Sequence, residues 1–454
     1  MTRESTRPPV APGGRPVVGH ALRLFRRPLE FVDRQRACGD VVSFRLGREP
    51  AFLVNSPATV RELLVEHNQV TKNGVLFEKL KVLGGDGIGS SWGEPHRQRR
   101  RMLAPLFTQE RVTGYASTMR AAAEEQTSNW LDGAPLELGR ELNEVAAAIL
   151  VRCMFASDAG SAAAREAARW LPIVFRGVGK RAYAPTGLLY ALPTRSNRLY
   201  TEAGKRVHAL IDEVIAVYRA EGTTGRDMLS ALLRARDPES GETLTDQQVH
   251  DEVMTMFFVG TEVSSAALGW LFLQLDRYPE VADRVYREFD EVLGDRPVEF
   301  DDLPKLEYVA RVVHETLRLY PPGWLFPRIP TVDIEVGGYT IPAGANVFYS
   351  PYVLHRDPRL FPEPDRFDPD RWLPDRAEQV PRGAFIPYGE GVRVCMGGSF
   401  AAAEMLIVLA VILRRWRLPL RPGARVRPVA STTLHPDHLP VVARRRQGLR
   451  ATTA

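Results

Sequence analysis

The spacing of apolar residues divides the chain into an extended start, a long helical middle and an extended stretch that precedes one more helix. Residues 39–56 alternate apolar and polar side chains around Gly47, which predicts a β-hairpin. From about 57 to 320, apolar residues recur three and four positions apart, as they do over 309–317, and this period predicts helices. The middle of the chain is therefore predicted to be mainly helical.

The C-terminal part of the chain has a different pattern. Residues 321–395 are rich in proline and glycine, and 337–344 (GGYTIPAG) predicts a turn between short strands. A last helix is predicted over about 397–416, and a strand-like tail is predicted to end near Val442. Together these patterns predict a mainly α protein with small β-sheets near both ends of the chain.

The same patterns predict a simple domain organisation. Residues 1–20 are rich in proline and glycine, and we expect them to form an extended arm on the surface. A length of 454 residues suggests two or three domains. Because we find no repeat and no linker, however, residues 21–454 are predicted to form a single domain.

Composition and charge exclude several classes of protein. Hydrophobic residues make up 44% and charged residues 25% of the chain, which is typical of a globular protein and excludes disorder. The net charge of +5 is not gathered in a basic stripe between aromatic residues, so no nucleic-acid partner is expected; it favours an acidic partner at one face. The longest apolar runs, such as 405–413, fall well short of the roughly 18 residues of a membrane span, so none is predicted.

Cysteine use points to a reducing compartment. The three cysteines, Cys38, Cys153 and Cys395, are far apart and form no CxxC pair. An odd number at such spacing argues against a disulfide framework and against a structural zinc site. We therefore expect the protein to be cytoplasmic.

Cys395 differs from the other two cysteines in its surroundings. It lies in 388–405, where a glycine-rich loop runs directly into an apolar helix. A thiolate is the form that binds a metal ion, and the helix N-terminus and Arg393 both favour the anion. Glycines such as Gly397 let the backbone approach a flat cofactor closely. The alternative, a small buried hydrophobic residue, fits the other two cysteines better.

A pair of charged residues lies at helical spacing later in the helical region. Glu315 and Arg318 are three positions apart in 309–322 (VARVVHETLRLYPP), so they share a helix face and can pair. Most such pairs are exposed and contribute little to stability. The apolar neighbours of this pair predict instead that it is buried.

Segment 92–107 (WGEPHRQRRRMLAPLF) carries another set of charged residues. His96 and Arg100 are four positions apart and therefore share a helix face. The remaining arginines of the segment are predicted to form a solvated basic face on which an acidic partner could dock. They are Arg97, Arg99 and Arg101.

The Cys395 loop resembles the cysteine-ligand signature of the cytochrome P-450 family of haem-thiolate monooxygenases. The family pattern reads Phe-x-x-Gly-x-Arg-x-Cys-x-Gly, and the matching residues are Tyr388, Gly391, Arg393, Cys395 and Gly397. Tyrosine at the aromatic position is a departure from that pattern. The resemblance extends from 12–20 to 434–445, and four separate motifs follow the family's order.

The resemblance implies a fold, a cofactor and a reaction. It implies the cytochrome P-450 fold, with haem b bound between a distal helix and the helix after Cys395, whose sulfur binds the iron. It also implies hydroxylation of an unactivated C–H bond with O2, using electrons that a ferredoxin and a ferredoxin reductase pass on from NAD(P)H. The protein is expected to act as a monomer.

Other residues receive roles only through this resemblance. Glu315 and Arg318 match two members of a structural triad that supports the haem pocket, and Arg371, in 367–372 (FDPDRW), matches the third. The residues that match donors to the haem propionates are His96, Arg100, Arg328 and Arg393.

The segment that resembles the distal helix departs from the family in one position. The family has a small residue, a glycine that helps to open a bulge for oxygen, an acid and then a threonine that delivers protons. Gly260 and Glu262 match, but Val263 occupies the place of the threonine. Three alternatives follow: a relay through Glu262 and ordered water, a relay through a substrate hydroxyl, or a slow enzyme that wastes electrons. The other hydroxyls nearby are those of Thr261 and Ser264.

Apolar and aromatic segments indicate a hydrophobic substrate with little charge. The residues expected to line its site are Val75, Phe77, Phe257, Phe258, Val263, Leu325 and Phe326. Segment 174–200, with its Leu-Pro-Thr and Asn-Arg elements, resembles actinobacterial members that oxidise cyclic sesquiterpenes. A cyclic terpene of secondary metabolism, such as antibiotic biosynthesis, is therefore the predicted substrate.

Several alternatives remain open at this point. The substrate could instead be a polyketide or a fatty-acyl compound. Val263 keeps open a haem-thiolate enzyme that is not an O2-using monooxygenase, such as a peroxide-driven, coupling or rearranging enzyme. A non-catalytic haem sensor or carrier is the remaining class, and failure of every donor to reduce the iron would favour it.

Overall fold

A computed structural model of the chain describes residues 7–74, 85–155, 192–222 and 225–446. Within the intervening segments it describes the single positions 77, 81, 166, 170, 173, 174, 177 and 190. Helices account for most of this described part, as the apolar periodicity predicts. They are α1 (Ala21–Arg26), α2 (Pro28–Gln35), α3 (Pro57–Arg61), α4 (Gly93–Leu103), α5 (Gln109–Ser128), α6 (Leu138–Met154), α7 (Arg195–Glu221), α8 (Met228–Arg234), α9 (Asp246–Arg277), α10 (Pro279–Leu293), α11 (Glu307–Leu319), α12 (Pro351–Leu354), α13 (Pro374–Ala377) and α14 (Gly398–Arg415).

The strands are short and lie near the two ends of the chain. They are β1 (Val41–Leu46), β2 (Glu49–Val54), β3 (Thr71–Asn73), β4 (Pro135–Glu137), β5 (Phe326–Pro330), β6 (Ile334–Val336), β7 (Tyr339–Ile341), β8 (Asn346–Tyr349), β9 (Trp416–Arg417), β10 (Pro428–Ala430), β11 (Leu434–Pro436), β12 (Pro440–Val442) and β13 (Arg444–Arg445). The five-stranded sheet has the order β1-β2-β8-β5-β3, and the other strands pair in twos.

The two turns predicted from glycine-rich segments are both present. β1 and β2 form an antiparallel hairpin in which Leu46 lies opposite Glu49, and Gly47 takes a φ of +66° in the turn. β6 and β7 are joined at Gly337 and Gly338, which also have positive φ. Glycine adopts this backbone conformation without the steric cost that a Cβ imposes.

The N-terminal residues that the structure describes lie along the first strand. Val10 forms a bridge with Ser43, and Gly19 forms one with Leu46. His20 anchors the segment from inside, because its buried ring is 2.9 Å from the carbonyl oxygen of Ala11. The division into an arm, 1–20, and a single domain, 21–454, remains a prediction.

Helix α9 is the central helix of the fold. It begins at a capping box formed by Thr245 and Gln248, and it is buried on all sides from Ala266 to Leu275, where it packs against neighbouring helices. By length and composition, α9 is also long and apolar enough to cross a membrane, although polar residues interrupt its apolar runs and no span was predicted from the sequence. Because 67% of its most apolar window is buried inside the protein, it resembles the core helix of a soluble protein.

Two apolar clusters hold these elements together. The larger joins α5, α6, α9 and α14, and the smaller lies between the five-stranded sheet and α3. The last predicted helix, 397–416, is α14, whose buried stretch from Met405 to Leu413 contributes to the larger cluster. The predicted mainly α fold with small sheets is confirmed.

Candidate functional site

Cys395 lies in a turn between a single 3-10 turn, Gly391–Arg393, and the start of α14. Its backbone N–H donates to the carbonyl oxygen of Tyr388 at 2.8 Å, which closes the loop. Gly391 has a φ of +70°, and a Cβ there would lie 2.5 Å from the carbonyl oxygen of Leu64. This loop geometry therefore requires glycine at 391 and holds the thiol at the N-terminus of the helix.

The Cys395 thiol is accessible and at the same time surrounded by protein. The residue is exposed, whereas Cys153 is buried and Cys38 is half-buried. Burial nevertheless raises the pKa of the Cys395 thiol, and a hydrogen bond from the Gly397 amide and the charge of Arg100 act in the opposite direction. The accessible sulfur thus has one amide and one cation that can stabilise a thiolate.

Two valines of α9 share a partly exposed face of an otherwise buried helix. Val259 is 43% exposed in mid-helix, and Val263, one turn later, is half-buried. Residues four positions apart in a helix share a face. The accessible face of α9 at this level is therefore apolar and carries no hydroxyl at position 263.

Four basic residues from three parts of the chain lie close enough to affect one another's pKa. His96 and Arg328 are 4% and 5% exposed. Burial, followed by the charges of Arg393, Arg100 and Arg328, lowers the pKa of His96 to about 3. Burial, followed by Arg328, lowers the pKa of Arg393 to about 10. Within the described ranges no carboxylate forms an ion pair with any of the four, so the cluster is suited to an anionic group.

The other arginines of α4 do not form the predicted solvated basic face. Arg99 is 6% exposed and lies 3.6 Å from Glu252, which is fully buried. Arg101 donates two hydrogen bonds to Asp237, and Arg97 pairs with Glu94. The prediction of a solvated face was wrong for Arg99 and Arg101, because acidic residues from the loop before α9 and from α9 itself lie against α4, which the sequence of α4 alone does not show. Arg97 is exposed, as predicted.

The Glu315–Arg318 pair is fully buried, as its apolar neighbours suggest. The two side chains form two hydrogen bonds of 2.9 Å, and both are 0% exposed. Arg371 lies on the same carboxylate, with Nε 3.4 Å from Oε1. The indole N–H of Trp372 donates to the other oxygen at 3.0 Å. The four residues thus form one buried polar cluster between α11 and the loop at 367–372.

His355, which the sequence did not single out, links this cluster to the cysteine loop. Its backbone carbonyl accepts a hydrogen bond from Arg318 at 2.8 Å, and its Nε2 accepts the N–H of Ile386 at 2.9 Å. Ile386 lies two residues before Tyr388. Burial, followed by the charge of Arg318, lowers the pKa of His355 to about 3, so the ring is neutral and can accept this bond.

The three polar side chains of α9 that were considered for proton delivery have different surroundings. Glu262 is half-buried, and its Oε1 accepts hydrogen bonds from Thr432 and Thr433 at 3.0 and 3.1 Å. Ser264 is buried and donates to Glu404 at 2.5 Å. The Thr261 hydroxyl is buried without a partner in the part of the chain that the structure describes. Of the three, only Glu262 combines an exposed fraction with a hydrogen-bonded carboxylate.

Gly260 has a packing role in α9. A Cβ at this position would lie 3.1 Å from a methyl group of Leu150 in α6, so glycine allows the two helices to approach closely. The helix continues through Gly260 without interruption, and the local bulge expected there is not seen. Close packing against α6 keeps this turn regular.

The residues expected to line a substrate site lie in several environments. Phe257 is 1% exposed and stacks on Phe155, so it belongs to the core rather than to the partly exposed face of α9. Phe258 and Leu325 are partly buried against the larger apolar cluster, whereas Phe326 stacks on Tyr349 of the sheet. Phe77 is half-buried, and Val75 lies outside the described residues.

Most of segment 174–200 lies outside the described residues, but its last part has a clear structural role. The Thr194 hydroxyl accepts the backbone N–H of Asn197 and caps α7. The Asn197 side chain donates to the carbonyl oxygen of Leu192 at 2.8 Å. The Leu-Pro-Thr and Asn-Arg elements thus form the N-cap of a helix.

The donor set at this site fits a haem. Cys395 offers an accessible sulfur, and thiolate sulfur is an iron ligand in haem proteins. The basic cluster of His96, Arg100, Arg328 and Arg393 has no carboxylate partner among the described residues and fits the two propionates of the macrocycle. The partly exposed valines of α9 fit an apolar distal side.

Comparison with known proteins agrees with this assignment. The cytochrome P450 family model matches residues 8–440. Cyclooctatin synthase and cyclooctat-9-en-7-ol 5-monooxygenase, both from Streptomyces melanosporofaciens, are 42% and 40% identical to this chain over 94% and 93% of it, and over 93% and 90% of their own lengths. Pentalenene oxygenase from Streptomyces avermitilis is 36% identical over 94% of this chain and 95% of its own length.

Solved structures share the fold. The crystal structure of the cytochrome P450DA heme domain superposes with a TM-score of 0.87 at 25% identity, covering 98% of this chain and 99% of that domain. A retinoic acid-bound cyanobacterial CYP120A1 gives the same TM-score at 23% identity, covering 98% of this chain and all of that one, which shows the fold alone. Because the family model spans nearly the whole chain and the named relatives include oxygenases, this protein belongs to the cytochrome P450 family and is a monooxygenase with a haem-iron cofactor.

Proposed function

We propose that the protein binds haem b through Cys395 and hydroxylates a cyclic terpene. The observation that carries this proposal is the accessible Cys395 thiol, which accepts a hydrogen bond from the Gly397 amide in a loop closed by the Cys395 N–H and the Tyr388 carbonyl, beside a group of basic side chains. The bound haem supplies oxygen activation, with a thiolate that donates electron density to the iron. The remaining chemistry depends on how the residues of this chain hold the haem, the substrate and protons.

The proposed haem contacts follow from charge and accessibility. His96, as a neutral ring, and the three arginines Arg100, Arg328 and Arg393 would donate hydrogen bonds to the propionates, and two carboxylates among them would relieve the repulsion between the arginines. Burial and the nearby Cys395 raise the pKa of Tyr388 to about 12, so its phenol stays neutral and does not repel a thiolate. Glu315, Arg318 and Arg371 have a structural role, because they lie inside the protein and hold the loop that follows α12.

Proton delivery is proposed to depend on Glu262. Its carboxylate is the acidic group nearest in sequence to the apolar face formed by Val259 and Val263, and it retains an exposed fraction. Burial raises its pKa, and the hydrogen bonds from Thr432 and Thr433 lower it again in part. A carboxyl group whose pKa is raised holds its proton more readily than an ordinary glutamate, which suits it to general acid catalysis. Ser264 and Thr261 do not offer this, because one hydroxyl is bound to Glu404 and the other is enclosed.

The substrate class is proposed from the relatives and from the apolar lining. The relatives named above act, by their names, on cyclooctat-9-en-7-ol and pentalenene, which are an alcohol and a hydrocarbon with rings and no charge. Val263, Phe258 and Leu325 are apolar and partly buried, which suits such a molecule. We therefore propose a cyclic terpene hydrocarbon or mono-alcohol in secondary metabolism, with antibiotic biosynthesis as one setting.

The electron source is proposed to be a cytoplasmic ferredoxin with its reductase and NAD(P)H. The net charge of +5 favours an acidic partner. The paired arginines of α4, Arg97 and Arg101, already have acidic partners of their own and are not expected to dominate its docking. We expect the protein to work as a monomer.

The test is a binding titration followed by turnover. Pentalenene and cyclooctat-9-en-7-ol are added to the purified haem protein, and the spin state of the iron is followed by absorption. The proposal predicts a low-to-high-spin shift with at least one of the two, and a product heavier by one oxygen atom when ferredoxin, reductase and NAD(P)H are added. A shift with a fatty acid but with neither terpene would contradict the substrate class. Turnover with hydrogen peroxide but not with O2 and the electron donors would contradict the monooxygenase route.

A further inference from the structure

The loop between β10 and β11 holds the carboxylate of Glu262 with two hydroxyl groups. The Thr432 hydroxyl is 3.0 Å and the Thr433 hydroxyl 3.1 Å from the same oxygen, Oε1. In the described part of the chain, the other carboxylate oxygen accepts no hydrogen bond from protein. Glu262 is thus fixed at one oxygen and free at the other to meet water on the exposed side of α9.

Thr433 also contacts an imidazole. Its hydroxyl oxygen is 3.4 Å from Nδ1 of His435, and this nitrogen is 3.2 Å from the Thr433 carbonyl oxygen. In the tautomer with a proton on Nδ1, the imidazole donates toward Thr433 while the Thr433 hydroxyl donates to Glu262. Because a hydroxyl can accept one hydrogen bond while it donates another, the donors of His435 and Thr433 both point in the direction of the Glu262 carboxylate.

Burial decreases from Thr433 through His435 to Asp437, toward the surface. Thr433 is 5% exposed, His435 is half-buried, and Asp437, two residues further on, is exposed. His435 is therefore positioned to exchange protons with solvent. The Thr433 hydroxyl lies inside the protein between His435 and Glu262.

The loop that carries these side chains is rigidly attached to the helices around it. The indole N–H of Trp270 donates to the carbonyl oxygen of Leu434, and that of Trp324 donates to the carbonyl oxygen of Ser431, both at 2.9 Å. The two tryptophans are 1% and 2% exposed. Anchors on either side of Thr433 keep its hydroxyl in place, as a relay with fixed geometry requires.

We propose that Thr433 and His435 pass protons from solvent to Glu262, and we call Glu262, Thr433 and His435 the C-terminal relay. This rests on the proposed function, in which Glu262 supplies protons to the oxygen site. In each step a proton leaves Nδ1 of His435 for the Thr433 oxygen while the Thr433 hydroxyl proton moves to Oε1 of Glu262. Nε2 of His435 takes up one proton from water, so one proton crosses the relay and no electron moves.

The other positions of α9 near Glu262 explain why such a relay is needed. Position 263 is valine, the Ser264 hydroxyl is bound to Glu404, and the Thr261 hydroxyl is enclosed. Because none of positions 261, 263 and 264 offers a free hydroxyl beside Val259, we expect protons to reach Glu262 by another route. The C-terminal relay is a hydrogen-bonded route to Glu262 that does not use α9.

The relay is tested with Thr433→Val, which removes one hydroxyl at nearly constant volume, and with His435→Phe. Two quantities are measured: product formed per NAD(P)H consumed, and the rate at which the infrared carbonyl band of Glu262 shifts on transfer from H2O to D2O. The band is identified as the one that Glu262→Gln removes. We expect both variants to lower the coupling and slow the exchange by roughly tenfold, because a general acid without its proton supply loses its effect. Thr433→Ser should restore both.

Matched controls separate the relay from loop damage and from failure of the proposed function. His438→Phe changes an exposed histidine that follows β11 and pairs with Asp437, and it should match the wild type. Exchange and coupling at wild-type values in both Thr433→Val and His435→Phe would overturn the relay. It would also be overturned if, of the threonine and histidine variants, only Thr432→Val changed them. If Glu262→Gln itself leaves the coupling unchanged, it is the proposed role of Glu262 that fails.

Discussion

Arg100 donates a hydrogen bond from Nη1 to the carbonyl oxygen of Val394, the residue before Cys395, at 2.8 Å. This bond ties α4 to the cysteine loop. The charge of the same guanidinium opposes the rise in the pKa of the Cys395 thiol that burial causes, and it contributes to the lowered pKa of His96. One side chain therefore connects the position of the sulfur, its charge and the basic cluster proposed for the propionates.

Replacing Arg100 should reduce haem binding. In Arg100→Gln the loop loses its anchor and the propionates lose a charged donor, and hydrogen bonds to charged groups contribute about 1.5–3 kcal/mol each. We expect the haem-to-protein ratio of the purified variant to fall several-fold, measured by haem extraction against protein concentration. Arg97→Gln, which removes an exposed arginine paired with Glu94, is the matched control and should bind haem normally. Full haem content in Arg100→Gln would contradict this prediction and show that His96, Arg328 and Arg393 are sufficient to hold the propionates.

Replacing Glu315 should destabilise the fold. In Glu315→Gln two arginines lose their counter-charge in a site where Glu315 and Arg318 are fully buried. Breaking a buried ion pair costs about 3–5 kcal/mol, and we expect a loss of this size in the free energy of unfolding, measured with denaturant. Glu363→Gln breaks an exposed pair with Arg366 and should cost less than about 1 kcal/mol. Equal stabilities for the two variants would contradict the structural role of Glu315.

The buried acid Glu404 should make stability depend on pH. It is 1% exposed beside Ser264, and burial raises its pKa from 4.5 to about 8. Between these values the unfolded state is ionised while the folded state keeps its proton. The free energy of unfolding therefore falls as pH rises through this window, by at most about 1.4 kcal/mol per pH unit.

Glu404→Gln tests this prediction because the amide resembles the protonated acid but does not titrate. The variant should lose stability less steeply than the wild type between pH 4.5 and about 8, in denaturant melts at several pH values. Glu213→Gln, on the exposed side of α7, should follow the wild-type curve. Parallel curves for Glu404→Gln and the wild type would mean that Glu404 is ionised in the folded protein.

Loss of the Glu262 carboxylate should uncouple electron use from product formation. Glu262→Gln keeps the side-chain shape and an acceptor for Thr432 and Thr433 but cannot carry a proton. General acid catalysis contributes about 10²–10⁴-fold, and we expect at least about a 10²-fold loss of product with the electrons diverted to peroxide. The haem spectrum should be unchanged. Near-normal product yield would favour a relay through a substrate hydroxyl instead.

The sequence predicts much of the fold because local patterns decide it. Alternation around Gly47 and the glycines at 337 and 338 determine two turns, since positive φ favours glycine whatever lies around it. The three-and-four spacing of apolar residues over 309–317 predicts α11. It also indicates the burial of Glu315, because a charged residue among apolar positions on a helix goes inside with its partner.

Other features depend on contacts between distant parts of the chain and were missed for that reason. Two arginines of α4 that were predicted to be solvated pair with acids that lie 136 or more residues away in the chain. Arg101 pairs with Asp237, and Arg99 pairs with Glu252. Phe257 was predicted to line the substrate site, yet it stacks on Phe155 of a segment far away in the chain. The hydrogen bonds from Thr432 and Thr433 to Glu262 likewise correspond to no local sequence pattern, because the two segments meet only in the folded protein.

The measurement that tests the central claim most directly is the absorption difference spectrum of the purified, reduced protein with and without carbon monoxide. It is recorded for the wild type, for Cys395→Ser and for Cys38→Ser, which changes a half-buried thiol elsewhere. If the Cys395 sulfur binds the iron as a thiolate, the wild type and Cys38→Ser show the red-shifted Soret band that gives cytochromes P450 their name, and Cys395→Ser lacks it. A wild-type band at the shorter wavelength of haem without a thiolate ligand, persisting in fresh preparations, would contradict the account.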